Sequence, residues 1–155
     1  MTAQTNKFQK GFTLIELLVV IGILAVLLAI TLIAINPARQ FGNANNTARR
    51  SHATQILNAI GQYVAENKGQ LPAEITALTA STAATLNNTN FPNLCGQLMP
   101  TYIPALPKNP TLPGGDVSSC VGVWVTGYSI MRDANNRITV SADTTDNGAV
   151  ITVTR

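Results

Sequence analysis

The sequence predicts an α+β protein in which a long N-terminal helix packs on a small antiparallel sheet. Residues 17–35 carry no charge and are mostly Ile, Leu and Val. An apolar stripe at helical spacing follows at residues 53–64. Outside a membrane, such a stripe must be buried against another part of the protein. From residue 122 onward, short β-rich runs alternate with Asp-, Asn- and Gly-rich turns. A spine helix covered in its second half by an α+β head satisfies all three observations.

Composition narrows the classes of partner. A chain of 155 residues has room for one modest domain and one membrane helix. Charged residues are only 11% of the chain, so Thr, Asn, Ser and Gln must supply much of its polar surface. The formal charge is +3, but two of the ten basic side chains, Lys7 and Lys10, precede Gly11. The remainder is nearly neutral, and nothing indicates a nucleic-acid partner.

The charge-free run is long enough to cross a bilayer, which takes about 20 apolar residues. Glu16 stands at its entrance, although a charge at bilayer depth costs on the order of 3 kcal/mol. The positive end of the helix dipole offsets part of that cost, and a partner cation would offset the rest. A cleaved secretory signal is a poor alternative, because its apolar region spans only about 7–15 residues and ends at a small-residue cleavage site. A plain signal anchor fits the length but does not account for Glu16.

The segment Gly-Phe-Thr-Leu-Ile-Glu at residues 11–16 follows a basic leader and precedes the apolar run. This arrangement resembles the processing motif of type IV pilins and pseudopilins. The resemblance implies that a prepilin peptidase/methyltransferase cuts between Gly11 and Phe12 and methylates the new amino group of Phe12. It also implies that Glu16 sets the register of subunits during assembly. The detailed match is confined to the N-terminal part of the chain, and beyond it the likeness is one of layout.

The spine helix is expected to run from residue 12 to residue 68. Pro37 should kink or break it near residues 33–37, and Gly69 is a good residue to end it. The expected organisation is a leader at 1–11, a transmembrane and filament-core helix at 12–36, the amphipathic half of the spine at 37–69 and an α+β head at 70–155.

The stripe on the second half of the spine predicts which side chains are buried. Its members are Ala53, Ile56, Leu57, Ile60 and Val64. Arg49 and Arg50 fall largely off this face, as do Asn58, Gln62 and Glu66. The two arginines are therefore expected in solvent, or in contact with lipid phosphates or a neighbouring subunit.

The head should contain three strands, at residues 122–131, 138–142 and 149–154, arranged as a meander with one apolar face on the spine. A short helix is expected near residues 73–79, a loop at 87–90 and a helical turn at 98–102. Four prolines between Pro104 and Pro113 exclude regular structure from that stretch.

Cys95 and Cys120 are the only two cysteines. An even number in an exported domain favours a disulfide, and two separate buried thiols are the alternative. A closed loop of about 25 residues would stabilise the head by roughly 3 kcal/mol in the chain-entropy model. Both cysteines precede most of the sheet, whereas the disulfide of typical adhesive pilins closes a C-terminal loop. A zinc site is improbable, because there is no Cys-x-x-Cys and His52 is the only histidine.

Few other residues suggest chemistry. Asp143, Asp146 and Asn147 lie in one turn and are weak candidates for calcium ligands, although such residues are ordinary in turns. Trp124 and Tyr128 fit either a ligand site or the sheet core, and the core is the stronger interpretation. No nucleophile–base pair or cofactor motif is present, so neither an enzyme nor a cofactor is expected.

The resemblance implies a structural subunit of a type IV pilus or of a type II secretion-like pseudopilus. Its expected partners are copies of itself and related pilins, the peptidase/methyltransferase, membrane lipid before assembly and the inner-membrane assembly machinery. The head would lie outside the cytoplasm, in an extracellular or periplasmic filament. The alternative is a monomeric, membrane-anchored binding module, which would keep its leader.

Overall fold

The computed structural model describes residues 11–155. Residues 1–10, which include Lys7, Lys10 and most of the expected leader, lie outside the described residues. The described residues form two compact units, which divide between Gln40 and Phe41. The first unit holds an apolar helix, and the second holds the sheet and the core.

The spine is broken within residues 33–37, as predicted, and forms two helices. Helix α1 spans Leu14–Ile35 and helix α2 spans Pro37–Glu66, with Asn36 between them in a left-handed conformation at φ 47°. The break has the expected cause. Pro37 has no N–H to continue the hydrogen-bond ladder, and it disfavours a helical conformation for the residue before it.

Helix α2 buries its predicted stripe. Ala53, Ile56, Leu57 and Ile60 are buried, and Val64 packs against the same cluster. The helix ends at Glu66, and Gly69 follows with φ 83°, donating its N–H to the carbonyl of Val64 over 2.8 Å. Such a bond to an otherwise unpaired carbonyl is typical of a helix C-terminus, as predicted for Gly69.

The sheet has four antiparallel strands in the order β1-β2-β3-β4. They are β1 (Ala83–Asn87), β2 (Val125–Arg132), β3 (Ile138–Ala142) and β4 (Thr152–Thr154). The antiparallel meander is confirmed, but β2 starts three residues later and β4 is shorter than predicted. Strand β1 was not predicted, because its Ala-Ala-Thr-Leu-Asn sequence holds a single β-branched residue, Thr85, and no aromatic residue.

Two short helices flank the first strand. Helix α3 spans Ala73–Thr76, shorter than the predicted helix at 73–79, and helix α4 spans Leu94–Leu98, before the helical turn predicted at 98–102. The proline-rich stretch forms no strand, although Leu106 and Val117 make an isolated antiparallel bridge.

One core joins the elements of the second unit. The stripe of α2 meets Tyr128 and Ile130 of β2 and Val140 of β3, while Phe91 and Leu94 close the side near α4. Trp124 and Tyr128 are both buried, which confirms that they belong to the core. Gly127 has φ 76°, and an added Cβ would lie 2.7 Å from the Leu112 side chain, so β2 needs glycine there.

Candidate functional site

The start of α1 is organised by Thr13 and Glu16. The Glu16 carboxylate Oε2 accepts hydrogen bonds from the Thr13 N–H over 2.8 Å and from the Thr13 hydroxyl over 2.7 Å. The Glu16 N–H donates in turn to Thr13 Oγ1 over 3.3 Å. This reciprocal arrangement is a capping box, which satisfies two N–H groups that the helix leaves unpaired. Sequence reasoning missed it, although the Thr-x-x-Glu spacing signals it.

Gly11 and Phe12 precede this cap in exposed, non-helical backbone. Phe12 is 84% exposed. A Cβ added at Gly11 would meet nothing within 4 Å. The described part of the chain therefore leaves the Gly11–Phe12 peptide bond accessible and sets no steric limit on the side chain at residue 11.

Helix α1 presents apolar side chains on every side. Within the described part of the chain, none of its 22 residues is buried, and it is the one helix long and apolar enough to cross a membrane. A helix that is apolar on every side must be shielded from water on every side, either by lipid or by other helices.

Arg49 is not where its helical position predicts. The sequence places it off the apolar face, in solvent or against lipid or another subunit, but its side chain is only 1% exposed. It forms a salt bridge with Asp146 at 2.7 Å and donates through Nε to Asn109 Oδ1 over 2.9 Å and through Nη2 to Thr111 Oγ1 over 3.2 Å. The expectation fails because helical spacing does not reveal partners distant in the sequence. Arg50, its neighbour, is exposed as predicted.

Asparagines extend the Arg49 network. Asn46 donates to the Asp146 carbonyl over 2.8 Å and accepts the Asp146 N–H over 3.0 Å. Asn109 donates its side-chain amide to Thr144 and its backbone N–H to the Thr126 carbonyl. The network thus ties α2, the proline-rich stretch, β2 and the turn after β3 together, and its geometry is that of a structural clamp.

The three calcium candidates have different partners. Asp146 binds Arg49 and Asn45, Asp143 accepts from the Ser129 hydroxyl, and Asn147 donates to Asn43. The Arg49 guanidinium, together with Asn45, holds the pKa of Asp146 below its usual value. Among the described residues, no three His, Cys, Asp or Glu side chains form a group that could hold a metal.

His52 lies on α2 and is half-buried. Its Nδ1 lies 3.0 Å from the Tyr128 hydroxyl, and the two rings meet edge to face. Burial raises the pKa of Tyr128 to about 12, so this phenol stays protonated at physiological pH. The pair is a partly buried hydrogen bond between α2 and β2.

Cys95 and Cys120 form a disulfide with a Cα–Cα distance of 5.6 Å. Cys95 is buried in α4, and Cys120 lies five residues before β2. The bond therefore holds the segment that enters β2 against α4.

Comparison with known families gives one match. Residues 6–32 match the family described as the prokaryotic N-terminal methylation motif. The search of curated proteins gave no match, and neither did the search of solved structures. The matched residues cover the Gly11–Phe12 bond, the Thr13–Glu16 cap and most of α1. The chain therefore carries the N-terminal methylation motif, the class III signal peptide of type IV pilins and pseudopilins, ahead of an α+β head.

Proposed function

We propose that the chain is a structural subunit of a type IV pilus or a type II secretion-like pseudopilus. In this role α1 leaves the membrane and packs with the α1 helices of other copies and related pilins. The observation that carries the proposal is the methylation motif on a helix whose 22 residues have no cover in the described chain. Lipid alone would cover the apolar surface but would not account for Glu16.

Processing is the first step of this function. A prepilin peptidase/methyltransferase would cut the exposed Gly11–Phe12 bond, release residues 1–11 and methylate the Phe12 amino group. The cut leaves the Thr13–Glu16 cap intact, because its hydrogen bonds involve only residues after the cut. The mature chain would thus begin one residue before Thr13, the N-cap of a helix that is already capped.

Assembly follows from the charges at this terminus. The amino group of mature Phe12 is cationic at neutral pH, and Glu16 lies four residues further along the chain, in the first turn of α1. In a staggered bundle, a neighbour's Phe12 amine can reach the same carboxylate. Both bonds from Thr13 end on Oε2, so the amine would approach Oε1. Because unpaired charges are strongly disfavoured in an apolar bundle, a subunit in the wrong register is rejected.

The same function fits the head and its location. A leader in the cytoplasm puts residues 41–155 on the far side of the membrane, where disulfides persist. The head holds its own core and the Cys95–Cys120 bond. It would form the filament surface after assembly.

Two measurements test the proposal: the intact mass of the membrane-extracted protein, and electron microscopy of filaments sheared from cells. We expect a mature chain that starts at Phe12 with one added methyl group, and filaments that contain it. Gly11→Val should abolish cutting through the peptidase, since nothing in the described chain crowds that position. Gly22→Val is the matched control, because Gly22 also has open space around it, and should be cut normally. A mature protein that retains Lys10 would refute the proposal and support the anchored binding module.

A further inference from the structure

Two valines project into solvent from the segment that leads from Cys120 to β2. Val121 is 90% exposed and Val123 is 94% exposed, whereas the next residue, Trp124, is buried. The disulfide at Cys120 fixes the start of the segment against α4. Residues 121–123, called here the valine loop, thus expose two apolar side chains next to a backbone position that the disulfide fixes.

An apolar hollow of about 180 Å³ lies where α2 approaches its C-terminal end. It is called here the α2 hollow, and its lining includes Ile60, Gly61, Val64, Leu71, Ile138 and Arg155. A dry apolar cavity of about 150 Å³ accommodates benzene. The α2 hollow is therefore large enough for a valine side chain.

The valine loop and the α2 hollow lie at opposite ends of one strand. Strand β2 begins at Val125, two residues after the loop, and ends at Arg132, which pairs with Ile138 in the hollow wall. Seven residue steps at roughly 3.3 Å each separate the strand ends by about 23 Å.

Helix α2 runs in the same sense as β2. Midway along the helix, Arg49 binds Asn109, whose N–H donates to the Thr126 carbonyl close to the valine loop. Further along, Ile60 and Gly61 line the hollow. The projection and the hollow are therefore separated along the α2 direction, as they are along β2.

We propose that the valine loop of one copy packs into the α2 hollow of the next copy along the filament. The inference rests on the proposed function and adds a contact between heads. The two surfaces differ, so the contact is heterologous, and a pair of copies keeps one free valine loop and one free α2 hollow. Repeated with a rotation that does not close, such a contact generates an open helical filament.

The small surface area that the valine loop can bury favours a second copy of the chain over an independent partner. A stable protein–protein interface buries roughly 1,600 Å² in total, and two valines supply only a small part of that. A contact of this size forms only where another interaction brings the partners together at high effective concentration. Packing of α1 in the filament supplies that interaction, so the contact belongs to the assembled state.

Photocross-linking in the full-length chain tests the contact. A photoreactive residue at position 123 should cross-link filament subunits at least tenfold more than the same residue at position 150. Val150 is the matched control, because it is 81% exposed and belongs to neither surface. We expect the cross-links to map to residues 57–71 or 136–138 of the neighbouring copy and to vanish in detergent-solubilised monomers. Filaments whose cross-links map elsewhere would overturn the inference and leave the proposed function intact. If the unaltered chain made no filaments, both would fail.

Substitutions at each end give an independent test. The double variant Val121→Asp/Val123→Asp should lower the ratio of filament-bound to membrane-bound protein at least fivefold, and Val150→Asp should not. Gly61→Leu should have the same effect by filling the hollow, since a Cβ there meets only Arg155 Nη1, at an ordinary 3.5 Å. Assembly at the unaltered ratio by both variants would contradict the contact.

Discussion

Helices α1 and α2 follow each other in the chain but differ in whether their apolar side chains are buried by the rest of the chain. None of the residues of α1 is buried within the described chain, whereas seven residues of α2 are. Helix α1 is apolar on every side, and α2 carries a stripe that meets the core shared with the sheet. Helix α2 therefore forms part of the core of the head, while α1 must be shielded from water by lipid or by other helices. Folding and assembly should therefore respond to different substitutions.

Removing residues 1–40 should give the largest effect. We expect residues 41–155 to remain soluble, monomeric and folded, because their core is complete without α1, and filament formation to be lost entirely. Trp124 fluorescence and size-exclusion chromatography measure the first outcome, and microscopy of sheared filaments the second. A fragment that aggregates or lacks cooperative unfolding would show that the head depends on α1.

Glu16→Leu should separate assembly from insertion. The change makes α1 more apolar, so membrane insertion and leader cutting should persist, while the ratio of filament-bound to membrane-bound protein falls at least tenfold. Glu16→Asp should be intermediate, since it keeps the charge but loses reach. Leu17→Ile, at the next position, is the control and should assemble normally. If Glu16→Leu assembled like the unaltered chain, the role of Glu16 in register would be wrong.

Arg49→Met should affect the stability of the head and not the packing of α1. The substitution removes the hydrogen bonds that the Arg49 side chain donates to Asn46, Asn109, Thr111 and Asp146. A hydrogen bond of this kind contributes about 1 kcal/mol net. We expect the free energy of unfolding of residues 41–155 to fall by about 3 kcal/mol in urea titrations. Arg50→Met, at the exposed neighbour, should stay within about 0.5 kcal/mol. Equal effects at the two positions would contradict the clamp.

Acid should produce a smaller effect through Asp146. Its pKa is lowered in the folded head from the ordinary 3.8, chiefly by Arg49. The folded state thus holds its proton less readily than the unfolded state. The resulting stabilisation is present above pH 3.8 and is lost as the pH falls through the lower folded-state pKa. Asp146→Asn should flatten the acid limb of stability against pH, which urea titrations at several pH values would measure. An unchanged slope would count against the pairing.

Several features of the head could be read from sequence because their signals are local. The stripe of α2, the end of that helix near Gly69 and strand β3 depend on spacings within a few residues. Arg49 was misplaced because its partners Asn109 and Asp146 lie 60 and 97 residues away. A position on a helix indicates the direction of a side chain. It does not indicate whether a carboxylate from a distant turn lies close enough to form a salt bridge with it.

Amino-acid order alone was enough to predict the methylation motif, the apolar helix, the α2 stripe and the antiparallel meander. The motif is recognised by its resemblance to a family, and the other three depend on a local residue period. The tertiary structure was needed to show that Ala83–Asn87 forms an edge strand, that Arg49 is buried, and that the valine loop and the α2 hollow lie at opposite ends of β2. These features arise from contacts between segments far apart in sequence, where burial and pairing override local preference.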